Sequence, residues 1–238
     1  MNAESASRSW LRDFHHGFLL EGYTLTLVRG LTPREYLDRI GARQQEDCDG
    51  FDHFIAQNLE FQDEQDDWGD HMFVGATPVH GEDADWVLAI EINGGIEIRT
   101  DAMKHATRGT RGVSHFRSPN AMSLFSWWED GELRTRFEGP LHREGSTPDH
   151  LLDLMRRTGF DLETGAYNLE NYVALAQELT GVRLTANILE YGTYATGTVD
   201  SESGRTSGGI LSVEPGQRLI QMPLTARCVT TSRSPFQE

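Results

Sequence analysis

The sequence predicts an α+β fold, in which an antiparallel sheet of about six strands has helices packed on it, followed by a C-terminal extension. Residues 111–138 alternate apolar and polar side chains over three short runs. Asp130-Gly131, between the second and third runs, is typical of a tight hairpin. Capped amphipathic segments elsewhere in the chain predict the helices.

The strands follow from composition and alternation. Residues 23–28 are rich in β-branched and aromatic side chains, which favour a strand. Residues 72–76 and 86–92 have the same character, and Pro and Gly residues lie in the loop between them. Three consecutive antiparallel strands are expected within residues 111–138, with the turn residues Ser118-Pro119-Asn120 after the first.

The helices are predicted from start and stop signals. Thr32, Pro33 and Glu35 form a capping box with proline at the first helical position, and Gly41 ends that helix. Further helices are expected within the ranges 51–59, 100–108, 147–159, 168–179 and 185–189. Thr147-Pro148-Asp149 is the expected start of the helix that Gly159 ends.

The chain of 238 residues is long enough for one large domain with an extension. Residues 1–191 are predicted to form the α+β domain. Residues 192–238 are predicted to form a Gly/Ser/Thr linker and tail, with an added hairpin. No apolar run approaches the roughly 20 residues that span a bilayer, and the N-terminus lacks a signal peptide. A cytoplasmic protein is therefore expected, in which Cys48 and Cys228 are free thiols.

The net charge of −16 belongs mainly to one segment. Between Arg43 and Arg99 there is no Lys or Arg, and this interval contains 15 acidic residues. The other 22 acidic residues nearly balance the 21 basic residues of the chain. Such a segment repels nucleic acid and membrane surfaces and attracts basic proteins.

Three segments carry a resemblance to a known family. They are LVRGLTP at 27–33, RGVSHFRSPNAMSLFSWWEDGEL at 111–133 and LTGVRLT at 179–185. Over residues 20–191 the chain resembles an actinobacterial family of domains of unknown function. The resemblance supports the fold boundaries and implies no activity, cofactor or catalytic residue.

Familiar catalytic and cofactor motifs are absent from the sequence. No GxxxxGK[ST] or strand-linked GxGxxG accompanies the Gly-Gly pairs, and no GxSxG elbow occurs. Asp47, Cys48, Asp49, Asp52 and His53 offer metal ligands, but their spacing fits neither an EF-hand loop nor a four-ligand zinc site. No metal, cofactor or catalytic residue is therefore predicted.

The sheet offers a second group of candidates. Glu91 and His115 both lie on predicted strands and could form an acid–base pair on one sheet face. Trp127 and Trp128 are neighbours on a strand, so they should face opposite sides. If one of them were exposed beside an arginine, it would make a stacking platform for a planar ligand or an Arg-rich peptide.

The leading functional hypothesis is a non-enzymatic acidic protein that captures a basic protein partner, as an immunity or regulatory factor. One alternative is a small-molecule-binding protein or enzyme with a pocket on the sheet. The other is a scaffold module that docks through its tail. The oligomeric state stays open. The candidate binding residues are Asp47, Asp49, Asp52, Asp63, Glu64, Asp66, Asp67, Trp68, Arg117, Trp127 and Trp128.

Overall fold

The structure, a computed structural model, describes residues 10–64, 71–92, 95 and 100–200. By compactness the chain divides into residues 1–206 and 207–238, and all described residues belong to the first unit. The strands within it are β1 (Tyr23–Arg29), β2 (Arg43–Gln44), β3 (Cys48–Asp49), β4 (His71–His80), β5 (Asp85–Ile92), β6 (Arg111–Arg117), β7 (Ser123–Glu129), β8 (Glu132–Phe137), β9 (Arg143–Glu144) and β10 (Thr193–Asp200).

Seven α-helices accompany these strands in the described residues. They are α1 (Trp10–Asp13), α2 (Pro33–Arg39), α3 (Phe51–Asp63), α4 (Thr100–Ala106), α5 (Leu152–Arg157), α6 (Leu169–Thr180) and α7 (Ala186–Glu190). A 3₁₀ helix, Phe14–Glu21, follows α1 directly. The predicted α+β class is confirmed.

The sheet is antiparallel throughout, in the order β2-β10-β4-β5-β1-β6-β7-β8-β9, with β3 also paired to β10. The prediction of about six strands was too low, because the described residues form ten. Three of the additional strands, β2, β3 and β9, have only two residues each. Such strands are too short to produce an alternating pattern in the sequence.

The fourth additional strand is β10, which lies in the range predicted as a linker from residue 192. Its sequence, TYATGTVD, has the Gly and Thr content that suggested a flexible segment. However, Thr, Tyr and Val are also strand-forming residues, and β10 pairs with β4 over six positions. The folded sheet therefore continues to residue 200, and the predicted tail hairpin lies outside the described residues.

Helices cover both faces of the sheet. Face A, the side that carries Trp127, packs against residues 10–21, α3, α5, α6 and α7. Face B, the side that carries Trp128, packs against α2 and α4. The two tryptophans belong to different hydrophobic clusters, which confirms that they face opposite sides. This central strand is apolar on both faces because both faces are covered.

Most helix boundaries follow the predicted signals. Thr32 and Glu35 form the expected capping box of α2, and Gly181 ends α6 in the left-handed conformation. Helix α5 departs from its predicted start, because it begins at Leu152 rather than near Thr147. The backbone N–H of Thr147 donates to the Arg134 carbonyl at 2.8 Å, which ties this segment to β8.

Candidate functional site

Helix α3 has one buried and one acidic side. Phe51, Phe54 and Asn58 are buried toward face A. The Phe54 ring stacks on Tyr194 of β10, with the ring centroids 5.2 Å apart. The opposite side of α3 faces solvent and carries Asp52, His53, Ala56, Leu59, Glu60 and Asp63. The aromatic residues of this segment therefore hold the helix on the sheet, while its carboxylates remain exposed.

We define the acidic face as six exposed carboxylates on α3 and the short segment before it. They are Glu46, Asp49, Asp52, Glu60, Asp63 and Glu64. Glu46 lies next to α3, because the side chain of Gln57 donates to its backbone carbonyl at 3.4 Å. Asp47 is also exposed, but it forms an ion pair with Arg34. The predicted candidates Asp49, Asp52, Asp63 and Glu64 thus share one surface.

The carboxylates of the acidic face have few partners. Asp49 accepts a hydrogen bond from the Thr193 hydroxyl at 2.7 Å. Asp52 lies 3.5 Å from Nδ1 of His15. Glu60, Asp63 and Glu64 form no ion pair with any cation of the described residues. This end of α3 therefore presents negative charge that no cation in the described part of the chain compensates.

Three residues beside the acidic face, His15, Glu190 and Tyr191, were not predicted. Nε2 of His15 lies 2.7 Å from a carboxylate oxygen of Glu190, so this histidine links Glu190 to Asp52. Tyr191, the next residue, is 77% exposed. Its neighbour Gly192 accepts a hydrogen bond from the Gly50 N–H at the start of α3. Because this contact joins residues far apart in the chain, no local sequence signal could have revealed it.

The other acidic residues that the structure describes in the 43–99 interval lie on other elements. Glu82, Asp83 and Asp85 are exposed at the β4–β5 turn, and Asp85 pairs with His80 at 2.7 Å. Glu91 is buried on face B. The predicted candidates Asp66, Asp67 and Trp68 lie outside the described residues. The acidity described by the structure is therefore split between two exposed groups.

The two tryptophans do not form the stacking platform that was considered for them. Trp127 is 8% exposed and Trp128 is 1% exposed. The Arg134 guanidinium lies 5.8 Å from the Trp127 ring centroid, and the His150 ring lies 5.2 Å from it. The indole N–H of Trp128 donates to the Ser126 hydroxyl at 3.1 Å. Both rings are thus used in packing on the two faces.

The proposed pairing of Glu91 with His115 is wrong, because the two side chains lie on opposite faces. Glu91 is opposite Thr24 in β1, and Thr24 is opposite Phe116 in β6. His115 belongs to the next row, opposite Leu25, and therefore points to face A. Alternation along each strand separates neighbouring rows onto different faces.

His115 is a buried polar residue in the core of face A. Its Nδ1 atom lies 3.0 Å from the Tyr23 hydroxyl, and its ring stacks on Tyr172 at 4.5 Å. Its Nε2 atom is buried and has no hydrogen-bond partner among the residues that the structure describes. Burial, and secondarily the positive charge of Arg117, lower the pKa of His115 to about 3. At neutral pH this imidazole is therefore uncharged.

A small cavity of about 20 Å³ lies beside His115, between β1, β6 and α6. Its lining includes Leu25, Val113, Tyr172 and Val173 and is almost entirely apolar. The volume is sufficient for one water molecule, but a buried water needs two to four polar partners. This cavity therefore does not accommodate a substrate-sized molecule.

Within the described part of the chain, no three His, Cys, Asp or Glu side chains are grouped to hold a metal ion. No helix formed by the described residues combines the length and apolar composition required to span a membrane.

The family model of DUF6461, a family of unknown function, matches residues 1–204. The chain belongs to this family. The DUF6461 match includes β10, in agreement with the continuation of the sheet past residue 192. No curated protein and no solved structure matches the chain. Membership of DUF6461 therefore identifies relatives without assigning an activity.

Proposed function

We propose that this protein is a non-enzymatic binding protein whose acidic face captures a basic protein partner. The immediate context we propose is the cytoplasm of an actinobacterium, where the protein acts as an immunity or regulatory factor. The observation that carries the proposal is that Glu60, Asp63 and Glu64, at the end of α3, are exposed and form no ion pair with a cation of the described residues.

The position of these carboxylates is unfavourable for the isolated protein. Glu60 is three residues from Asp63 and four from Glu64, so like charges are neighbours on the helix surface. All three residues are also near the C-terminal end of α3, where the helix dipole favours cations. The last turn contains no basic residue. A feature that costs stability is expected where function requires it.

The acidic face also contains apolar area for contact with a partner. Leu59 is 41% exposed and lies between the carboxylates on the outer side of α3, next to Ala56. Binding surfaces commonly combine a desolvated apolar centre with charges around it. The charges would accelerate association with a basic partner, and Leu59 would supply burial.

The test begins with affinity capture by the immobilised full-length protein, followed by titration of each purified candidate at low and high salt. In the test variant, Glu60→Gln, Asp63→Asn and Glu64→Gln neutralise the end of α3. In the matched control, Glu21→Gln, Glu163→Gln and Glu178→Gln remove the same charge from exposed positions elsewhere.

We expect the test variant to bind its partner about tenfold to a hundredfold more weakly, since each exposed ion pair contributes up to about 1 kcal/mol. The control should bind nearly as well as the wild type, and added salt should weaken the wild-type complex. An affinity that is independent of salt, or equal losses in both variants, would contradict the proposal.

A further inference from the structure

Four arginines of the described residues have a buried Nε atom with no hydrogen-bond partner: Arg111, Arg117, Arg134 and Arg136. Three of them have another partner for their charge. Arg111 lies over the Trp86 ring at 5.6 Å, Arg134 pairs with Glu132 at 2.9 Å, and Arg136 pairs with Glu144 at 3.6 Å. Arg117 has no ion pair and no aromatic ring contact within the described residues.

Arg117 lies at the end of β6, on face A, and is partly buried. Its cross-strand neighbours are Tyr23 of β1 and Ser123 of β7, which place two hydroxyl-bearing side chains in the same row. His115, two residues earlier on the same face, is 5% exposed and also has an unpartnered ring nitrogen, Nε2. Two successive positions on face A of this strand, His115 and Arg117, thus carry a buried polar atom that has no partner among the described residues.

A partly buried guanidinium without an ion pair among the described residues is unexpected in a chain with 37 acidic residues. A buried donor without an acceptor is costly, and a donor that carries charge costs more. The Glu170 carboxylate, which is close enough to affect the pKa of Tyr23, is already bound by Arg12. His115 is uncharged, so it supplies no competing positive charge beside Arg117.

We propose that Arg117 binds the oxyanion group, a carboxylate or phosphate, of a small ligand at the end of β6 on face A. The guanidinium would pair with the oxyanion, as arginine forks do with carboxylate and phosphate groups. Tyr23 and Ser123 lie in the same row as Arg117. The Tyr23 hydroxyl is buried and paired with His115, so Ser123 is the neighbour that would contact the ligand beside the guanidinium. This site is separate from the acidic face and does not depend on the function proposed for it.

The experiment is a titration of the full-length protein with inorganic phosphate, succinate and benzoate at constant ionic strength. Binding is followed by the NMR signal of each arginine Nε–H group and by the midpoint of thermal unfolding. Arg117→Gln is the test variant. Arg136→Gln is the matched control, because it removes the same charge from β8, which is separated from β6 by β7, at a position where Nε is also buried but Glu144 is available.

We expect at least one probe to saturate, to shift the Nε–H signal of Arg117 and to raise the unfolding midpoint. Arg117→Gln should weaken that binding by at least about tenfold, and Arg136→Gln should preserve it. Phosphate binding alone, or carboxylate binding alone, would identify the oxyanion class.

The inference is overturned if no probe saturates, or if Arg117→Gln and Arg136→Gln bind every probe alike. If Arg117→Gln does not fold, Arg117→Lys replaces it. Lysine keeps the charge but lacks the planar fork, so weaker binding with an unchanged unfolding midpoint would support the site. Unchanged binding by Arg117→Lys, without a shift of the wild-type Arg117 signal, would reject it.

Discussion

The imidazole of His115 is enclosed by aromatic and aliphatic side chains on face A. One nitrogen is used by Tyr23, and the ring is fixed against Tyr172. Because burial disfavours the charged form, the pKa of His115 falls from its usual 6.5 to about 3. In the unfolded chain the same group titrates normally. Protonation of this single residue therefore opposes folding.

His115→Phe tests this effect through the pH dependence of stability. Between pH 6 and 4 the unfolded wild-type chain binds one proton at this position that the folded chain does not bind. As the pH falls, the unfolding free energy of the wild type should therefore decrease by about 1.4 kcal/mol per pH unit relative to that of the variant. Urea unfolding of both proteins at several pH values measures the difference.

The exposed His53 provides the control for this comparison. His53→Phe should leave the pH dependence close to that of the wild type, because it does not alter the buried site. If the difference between wild type and His115→Phe is constant over this pH range, the imidazole is accessible to protons in the folded state. The enclosed environment described for it would then be incorrect.

Residue orientation was predictable from the sequence only within a strand. The opposite directions of Trp127 and Trp128 follow from alternation and needed no structure. The relation between Glu91 and His115 depends on the registers of β5 with β1 and of β1 with β6. A shift of one residue in either register would reverse it, and single-strand patterns do not contain that information.

The C-terminal end of α3 is the element where local rules are broken most clearly. Glu64→Lys should therefore stabilise the protein, by about 0.5–1 kcal/mol, since it removes a repulsion and places a cation near the helix end. It also places an ammonium group four residues after Glu60. Chemical denaturation at low salt measures the gain, which should decrease as salt is added.

Glu163→Lys is the matched control, since it makes the same charge change at an exposed loop position outside any helix. Its effect on the unfolding free energy should be smaller than that of Glu64→Lys. Equal gains from both substitutions would mean that net charge, rather than the location of charge on α3, determines the effect. The argument from helix position would then fail.

At the scale of elements, prediction succeeded where the signal was local. The capping box of α2 and the left-handed Gly181 after α6 involve residues within a few positions of each other. The start of α5 was misplaced because Thr147 bonds to β8, which a local pattern does not reveal. Strands β2 and β3 exist only because β10 pairs with them.

The candidate site was predictable in part for the same reason. The sequence identified the acidic stretch and the helix inside it, because charge and periodicity are local properties. It did not identify His15, Glu190 and Tyr191 beside α3. These relations depend on how distant strands and helices are arranged.

Strand β10 determines the minimal folded unit of the whole molecule. It lies between β4 on one side and β2 and β3 on the other, and Tyr194 is completely buried. A chain that ends at Gly192 should therefore lose cooperative unfolding, whereas one that ends at Gly204 should retain it. Circular dichroism and urea titration of the two fragments distinguish these outcomes. Cooperative unfolding of the shorter fragment would show that β10 is peripheral.

The position of β10 in the sheet also affects how the protein folds during synthesis. The residues of β2 and β3 are synthesised early, but their hydrogen-bonding partner β10 leaves the ribosome about 150 residues later, after every other described strand. Until then the outer side of β4 is unpaired and presents an open template to other chains. Ribosome-associated chaperones would be needed most in the interval before β10 pairs with β4. Slow translation near residue 190 would prolong that interval.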